Sequence, residues 1–353
     1  AEWLKEQSYQ EAVVLPELRT LDVSEFDDAG LHKELTGWQS DFDLESGPLF
    51  QVGYLTGYSD GSARIYFALH HLLVDGVSWR ILSEDLKTLY SGGTLPAKGS
   101  SYREWVSAMA SYPSLHSEES IYWKEQLSEV SGYSSDVLKP VSGGSMELDA
   151  SSTQFLLQEA SNAYQTEIND LLLAALAYTL KDIDGESSHG ITLEGHGRES
   201  IDASIDHSHT VGWFTSLFPV KLAVGDSIRD SIRNIKEGLR SIPNRGVGFG
   251  SFAVSDTTDY GFDDLIPISF NYLGQFGNES STDWQLVAED SGVQSSSSNI
   301  DRNVINFNGG VVKDRLTFHV NSKLGESVTE ELCSRFKVHL EAIVSHCRES
   351  LST

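Results

Sequence analysis

Cationic side chains are in short supply. Lys and Arg number 25 against 52 Asp and Glu, a formal charge of −27 at pH 7. A surface of that sign repels phosphate backbones and anionic bilayers, which argues against nucleic acid and membranes as partners. Long apolar runs are missing too: none approaches the roughly 20 residues that span a bilayer. The opening AEWLKEQSYQ has neither the basic n-region nor the apolar h-region of a secretory signal. Cysteine is nearly absent. Cys333 and Cys347 fall in one helical pattern, which at ~1.5 Å per residue sets them roughly 21 Å apart, too far to pair. HExxH and clustered Cys/His patterns are lacking, so no metal site is expected and a reducing, cytoplasmic setting fits.

What is present is an ordinary globular composition, 39% hydrophobic and 22% charged over 353 residues, long enough for two lobes. Residues 63–70, ARIYFALH, alternate as a strand does, with Ile65, Phe67 and Leu69 on one face and Arg64, Tyr66 and Ala68 on the other. After Asp75-Gly76, Ile81, Leu82, Leu86 and Leu89 recur at helical spacing, with Ser78 as the expected N-cap. Helices are expected over 102–111 and 117–129. The Ser- and Gly-rich stretch 131–146 contains Pro140 and reads as a lobe boundary, dividing the chain into 1–140 and 141–353. Beyond it STQFLLQ reads as a strand, 166–180 as a buried helix, and GITLEGHG as a strand running into a glycine-rich turn. Ile228, Ile232, Ile235 and Leu239 mark another helix, PISFNYL and RLTFHVN further strands, and Val328 to Ile343 a last long helix. Helices and strands mix without regular βαβ spacing, an α/β chain of the α+β kind.

The stretch FALHHLLVDGVSW, residues 67–79, sets two histidines side by side ahead of an Asp-Gly turn. Neighbours in a strand point to opposite faces, so His70 and His71 cannot share one metal ion. A serine-hydrolase GxSxG elbow is absent, and RGVGFG at 245–250 lacks the GxGxxG spacing of a nucleotide loop. One histidine is then held in the structure and the other faces a surface or cleft. By itself the pattern admits a structural reading, the commoner one, and a catalytic one. Strand parity puts His71 on the face of Phe67 and Leu69 where the strand stops, a position suited to proton transfer near neutral pH.

The HHxxxDG pattern formed by His70, His71, Asp75 and Gly76 resembles that of the chloramphenicol-acetyltransferase-like superfamily. Its extension HHLLVDGVSWRIL (70–82), with EGHGRE (194–199), TVGWFTSLFPV (210–220), IPNRGVGFG (242–250) and FNYLGQF (270–276), is similar, in the same order, to the epimerization domains of nonribosomal peptide synthetases. His209 stands where that family usually has arginine. The family's opening segment is not seen in the 69 residues ahead of His70, which implies a trimmed chain or an incomplete first lobe.

The resemblance implies two chloramphenicol-acetyltransferase-like lobes arranged as a V-shaped pseudo-dimer with an active channel. It implies inversion of the α-carbon of an L-aminoacyl or peptidyl thioester on a carrier protein, by removal and return of one proton. His71 is then the functional histidine, with His70 held in the structure and Asp75 and Gly76 shaping the turn. Glu194 is the candidate for a second acid/base group. Ile191 and Leu193 share one strand face and Thr192 and Glu194 the other, so Glu194 points away from that apolar face. Burial is expected to raise its pKa. His196 and Glu199 compete in the same loop, Asn271 and Tyr272 are candidates to bind the thioester oxygen or enolate, and Trp213 is expected to pack. The implied enzyme needs no metal or nucleotide of its own. Its cofactor is the phosphopantetheine arm of a partner carrier protein (thiolation domain), its other partners are adjacent synthetase modules, and Arg198 or Arg245 are candidates for local attraction. A condensation domain that forms peptide bonds and a non-catalytic carrier-docking module are the alternatives.

Overall fold

The computed structural model describes residue 15, residues 17–128, 138–276, 284, 287 and 289–352. The start of the stretch expected as a linker, 131–137, lies outside them. The chain groups into two compact units, Ala1–Val74 with Val287–Ile300, and Asp75–Leu286 with Asp301–Thr353. Residues 75–140, read from sequence with the first lobe, group with the second unit.

In the first unit, strand β1 (Arg19–Asp22) runs parallel to β2 (Phe50–Thr56), which pairs antiparallel with β3 (Arg64–Leu69). Helix α1 (Asp28–Ser40) begins at Asp27, whose side chain accepts from Gly30 N at 2.7 Å. It packs Leu35 and Trp38 against Leu55, Tyr66 and Ala68. The buried face of β3 is therefore that of Tyr66 and Ala68, while Ile65 is exposed. The Trp38 ring lies where a Cβ at Gly53 would stand, so glycine there lets the helix approach the sheet. Residues 287–300 return to this unit. Tyr66 Oη and Gln39 Nε2 both donate to Ser291 O, Arg64 pairs with Glu289, and His32 Nδ1 meets Asp290 at 2.8 Å.

The second unit opens with three helices, α2 (Gly76–Tyr90), α3 (Tyr102–Leu115) and α4 (Glu119–Leu127). After them come β4 (Ser142–Glu147), α5 (Ala150–Gln158), α6 (Ser161–Tyr164), α7 (Ile168–Asp184), β5 (Ser188–Gly195) and β6 (Ser216–Ala223). The rest is α8 (Ile228–Arg240), α9 (Phe249–Ala253), β7 (Ile268–Phe276), β8 (Ile305–Val312), β9 (Arg315–Ser322) and α10 (Glu326–Leu351). Its sheet has the order β4-β9-β8-β7-β5-β6, with β5–β7 and β7–β8 parallel and the remaining pairs antiparallel. Helix α7 is buried along Leu171–Ala177 and packs with α10 against the sheet. The two architectures together make a mixed α/β fold, as expected.

Three local expectations are corrected. STQFLLQ is helical: Asp149 caps α5 by accepting from Ser152 N, and Thr153, Phe155 and Leu156 turn inward at helical spacing. SGGSME, read within the linker, is edge strand β4, where a Cβ at Gly144 would crowd Cys333 Sγ at 2.8 Å. Helix α2 is capped by Asp75 rather than Ser78: Asp75 Oδ1 accepts from Ser78 N at 2.7 Å. Both cysteines are buried and free, and burial pushes the Cys347 thiol up to about 11.

Candidate active site

Strand β3 ends at Leu69, and His70 begins a single 3-10 turn, His71–Leu73. The turn breaks the strand's alternation, so β3 parity does not set the direction of His71 as the pattern suggested. His70 is held three ways: its N–H donates to Leu49 O, its Nδ1 accepts from Leu72 N, and its ring meets Phe42 edge-on at 6.2 Å. Burial, and after it the neighbouring His71, lowers the His70 pKa. His71 is exposed at the start of the turn.

Asp75 is the anchor of the second unit's motifs. The residue is 4% exposed, and its carboxylate accepts from Ser78 N, from Phe214 N at 3.1 Å, and from Arg198 Nη2 at 3.1 and 3.3 Å. The Arg198 guanidinium donates through Nη1 to His207 O and Thr210 O and lies 4.0 Å over the Phe214 ring. Ser78 Oγ donates to Gly212 O and accepts from Gly212 N and Arg198. A buried ion pair thus ties Asp75 of the HHxxxDG segment to the EGHGRE and GWFTS segments, its charges hydrogen-bonded apart from Arg198 Nε, which is buried with no partner among the described residues. Arg198 is therefore removed from any surface role in attracting a carrier, a correction to the expectation. Arg245 is exposed and remains available for one. Gly76 begins α2 without a left-handed φ, and a Cβ there would meet open space, so neither backbone nor packing in this unit demands glycine.

Glu194 and Asn271 meet. Parallel pairing aligns Thr192 with Ser269 and Leu193 with Phe270, which brings the next residues of β5 and β7 side by side. Asn271 Nδ2 donates to Glu194 Oε2 at 2.8 Å. Thr192 is buried by its bond to Ile266 O and Leu193 by the core, so Glu194 is the residue at which β5 emerges. It is exposed, where burial was expected. Tyr272 shares a strand face with Phe270 and packs against the main core, opposite Asn271, and burial raises its pKa. Of the expected substrate-binding pair, only Asn271 stands beside Glu194. His196 and Glu199 are engaged with each other at 3.1 Å, and His196 Nδ1 accepts from Arg198 N. Trp213, expected to pack, is exposed, with its carbonyl accepting from Tyr102 Oη.

Sequence reasoning missed both pairings. The Arg198–Asp75 pair spans 123 positions and leaves no local trace, whereas the Glu194–Asn271 pair follows from the parallel register once β5 and β7 are neighbours. No group of three or more His, Cys, Asp or Glu among the described residues could hold a metal ion, and none of their helices is long and apolar enough to cross a membrane.

Residues 9–353 match the family described as condensation domain. N-(5-amino-5-carboxypentanoyl)-L-cysteinyl-D-valine synthase of Amycolatopsis lactamdurans is 39% identical over 342 residues, 93% of this chain and 9% of that protein. Surfactin synthase subunit 2 of Bacillus subtilis is 38% identical over 332 residues, 88% of this chain and again 9% of the relative. The chain thus spans less than a tenth of these relatives' length. Among solved structures, the epimerization domain from the third module of tyrocidine synthetase B superposes with a TM-score of 0.83 at 29% identity, covering 94% of this chain and 80% of that one. The condensation enzyme VibH superposes at 0.67 with 17% identity, covering 96% and 82%, a likeness of fold alone.

Proposed function

The chain belongs to the condensation-domain family, and from that premise we propose that it epimerizes the α-carbon of an L-aminoacyl or peptidyl thioester carried on the phosphopantetheine arm of a carrier protein. The observation that carries this reading is the carboxylate of Glu194 at the emerging end of β5, with the Asn271 amide donating to it. Its family context supports it. The 29% identical structure is titled an epimerization domain, and the name of the 39% identical relative includes a D-valine.

The chemistry asks for one base and one acid. A base takes the α-proton, the electron pair delocalises into the thioester carbonyl as an enolate, and an acid returns a proton to the opposite face. We assign these roles to Glu194 and His71. One Asn271 N–H serves Glu194 and its second is assigned to the enolate oxygen, since an amide nitrogen has two hydrogens to give. Tyr272 backs β7 from the core side. Asp75, Arg198 and Ser78 hold the motif segments and do not touch substrate. Carrier protein and adjacent modules are the proposed partners, the cytoplasm the proposed setting, and no cofactor of the domain's own is invoked.

The test is deuterium uptake in heavy water at the α-carbon of L-aminoacyl thioesters on a carrier protein, L-valyl among them, with chiral analysis of the released acid. Uptake with a D/L mixture is expected, and His71→Ala or Glu194→Gln should each slow it by about 10²–10⁴-fold. Absence of uptake from the folded chain overturns the reading. The family's description favours one other, peptide-bond formation. Dipeptide release with a second loaded carrier and no α-exchange would establish it.

A further inference from the structure

Glu119, the first residue of α4, is only 5% exposed and takes no part in the site described above. Its Oε1 accepts from Tyr112 Oη at 2.7 Å and from Asn244 Nδ2 at 3.2 Å. The Asn244 amide also donates to Tyr112 Oη at 2.6 Å, and the His116 ring stacks on Tyr112 at 4.2 Å with Nδ1 3.9 Å from Glu119. Glu119 Oε2 is buried with no hydrogen-bond partner among the described residues. A Cβ at Gly248 would stand 2.9 Å from that oxygen.

This cluster holds a turn that the chain would not adopt unaided. Asn244 (φ +42°) and Arg245 (φ +52°) are consecutive left-handed residues without being glycine, and Gly246 follows at φ +86°. Such backbone persists only where its surroundings over-determine it. The turn in turn abuts the strand end that bears Glu194. A Cβ at Gly246 would run into the Phe218 ring, and Phe218 is the cross-strand partner of Leu193. At Gly195 a Cβ would lie 3.2 Å from Phe218 and 3.7 Å from Arg245 O. Contact therefore runs without a gap from Glu119 through Asn244, Gly246 and Phe218 to the Gly195 end of β5.

We propose that Glu119, with Tyr112 and Asn244, is a positioning residue for Glu194: it fixes the left-handed turn on which the end of β5 rests. The role rests on the assignment of Glu194 as an acid/base group. A carboxylate oxygen, with two lone pairs, suits two donors converging on one atom, and the chain of contacts is short, so a shift of the turn is passed on to the strand end that bears Glu194.

The experiment compares Glu119→Ala, Glu119→Gln, Tyr112→Phe and Asn244→Gly in the full-length polypeptide. Asn244→Gly keeps a left-handed turn accessible while cutting the side-chain tie, and it serves where Glu119→Ala does not fold. Two readouts are taken: amide hydrogen exchange in peptides spanning 193–198, and kcat and KM for α-deuterium uptake from the L-aminoacyl carrier thioester turned over fastest. Expected are amide exchange faster by about tenfold in this segment and kcat lower by about tenfold with KM within about twofold, the signature of a misplaced group rather than lost binding. Glu119→Gln, which keeps an acceptor at Oε1, should restore most of both. Unchanged amide exchange overturns the mechanical link, and altered amide exchange with unchanged kcat overturns the positioning role. A wild-type chain without α-exchange overturns the function itself and this role with it, whereas an active wild type with unmoved variants overturns this role alone.

Discussion

A buried carboxylate is worth what its partners make it worth, and Asp75 has four contacts: Ser78 N, Phe214 N and both oxygens against Arg198. Removing one partner of a buried pair leaves the other charge uncompensated, at a cost of about 3–5 kcal/mol. Asp75→Asn should therefore lower the urea midpoint by an amount equivalent to about 3 kcal/mol with an unchanged slope, because an amide cannot neutralise Arg198. Arg198→Lys should cost nearly as much, since one ammonium nitrogen cannot stand both where Nη1 meets His207 O and Thr210 O and where Nη2 meets Asp75, nor lay a planar face on Phe214. A near-neutral Asp75→Asn would mean that the pair is not what joins these segments. The turn at Asp75-Gly76 was legible, but its cap was not: Ser78 is itself a good capping residue ahead of the helical spacing, and only the structure shows the Asp75 carboxylate accepting from Ser78 N. Its charge partner was not, because no local pattern distinguishes an arginine that will be buried from one that will be solvated.

Among the elements, legibility followed the strength of the apolar period. The long helices α7, α8 and α10 and the strands β3, β5, β7 and β9 repeat their apolar residues over enough positions to be read directly. Helix α5 was misread because its short apolar run fits either period, and the Asp149 cap, visible only as one polar residue, decides it. Strand β6 contains Pro219, which argues against a central strand; it lies at the sheet edge, where a missing N–H is tolerated. The packing of α1 on its sheet turns on one glycine. Gly53→Ala would drive a methyl into the Trp38 ring and should destabilise by about 2 kcal/mol, as overpacking does. Trp38→Leu costs stability alone through the cavity it leaves, yet it makes room for that methyl. The double variant should therefore be less damaged than the sum of the two, with a coupling of about 1 kcal/mol or more in thermal or denaturant unfolding. Strict additivity would mean that α1 does not bear on Gly53.

For the whole molecule, charge sets the response to pH, and two effects oppose each other. His207 is buried against Trp105 and Phe214, and its Nε2 has no partner among the described residues. Burial first, and the Arg198 guanidinium second, push its pKa down, against smaller upward pulls from the Glu199 backbone and Asp206. His70 is lowered likewise. A group whose folded pKa lies below its unfolded value of about 6.5 contributes fully above that pH, and its contribution is lost as pH falls from there toward the folded value. Against this, the excess of 52 acidic over 25 basic side chains repels itself at neutral pH, and protonating exposed histidines relieves that repulsion. Salt separates the two, because raising it from about 0.1 M to about 1 M shortens the screening length from about 10 Å to about 3 Å and silences surface repulsion while leaving the buried imidazole untouched. The unfolding temperature should fall between about pH 7.5 and 5.5, fall more steeply at high salt, and flatten in His207→Gln. A slope that His207→Gln leaves intact would assign the acid sensitivity to His70 instead, in the other unit.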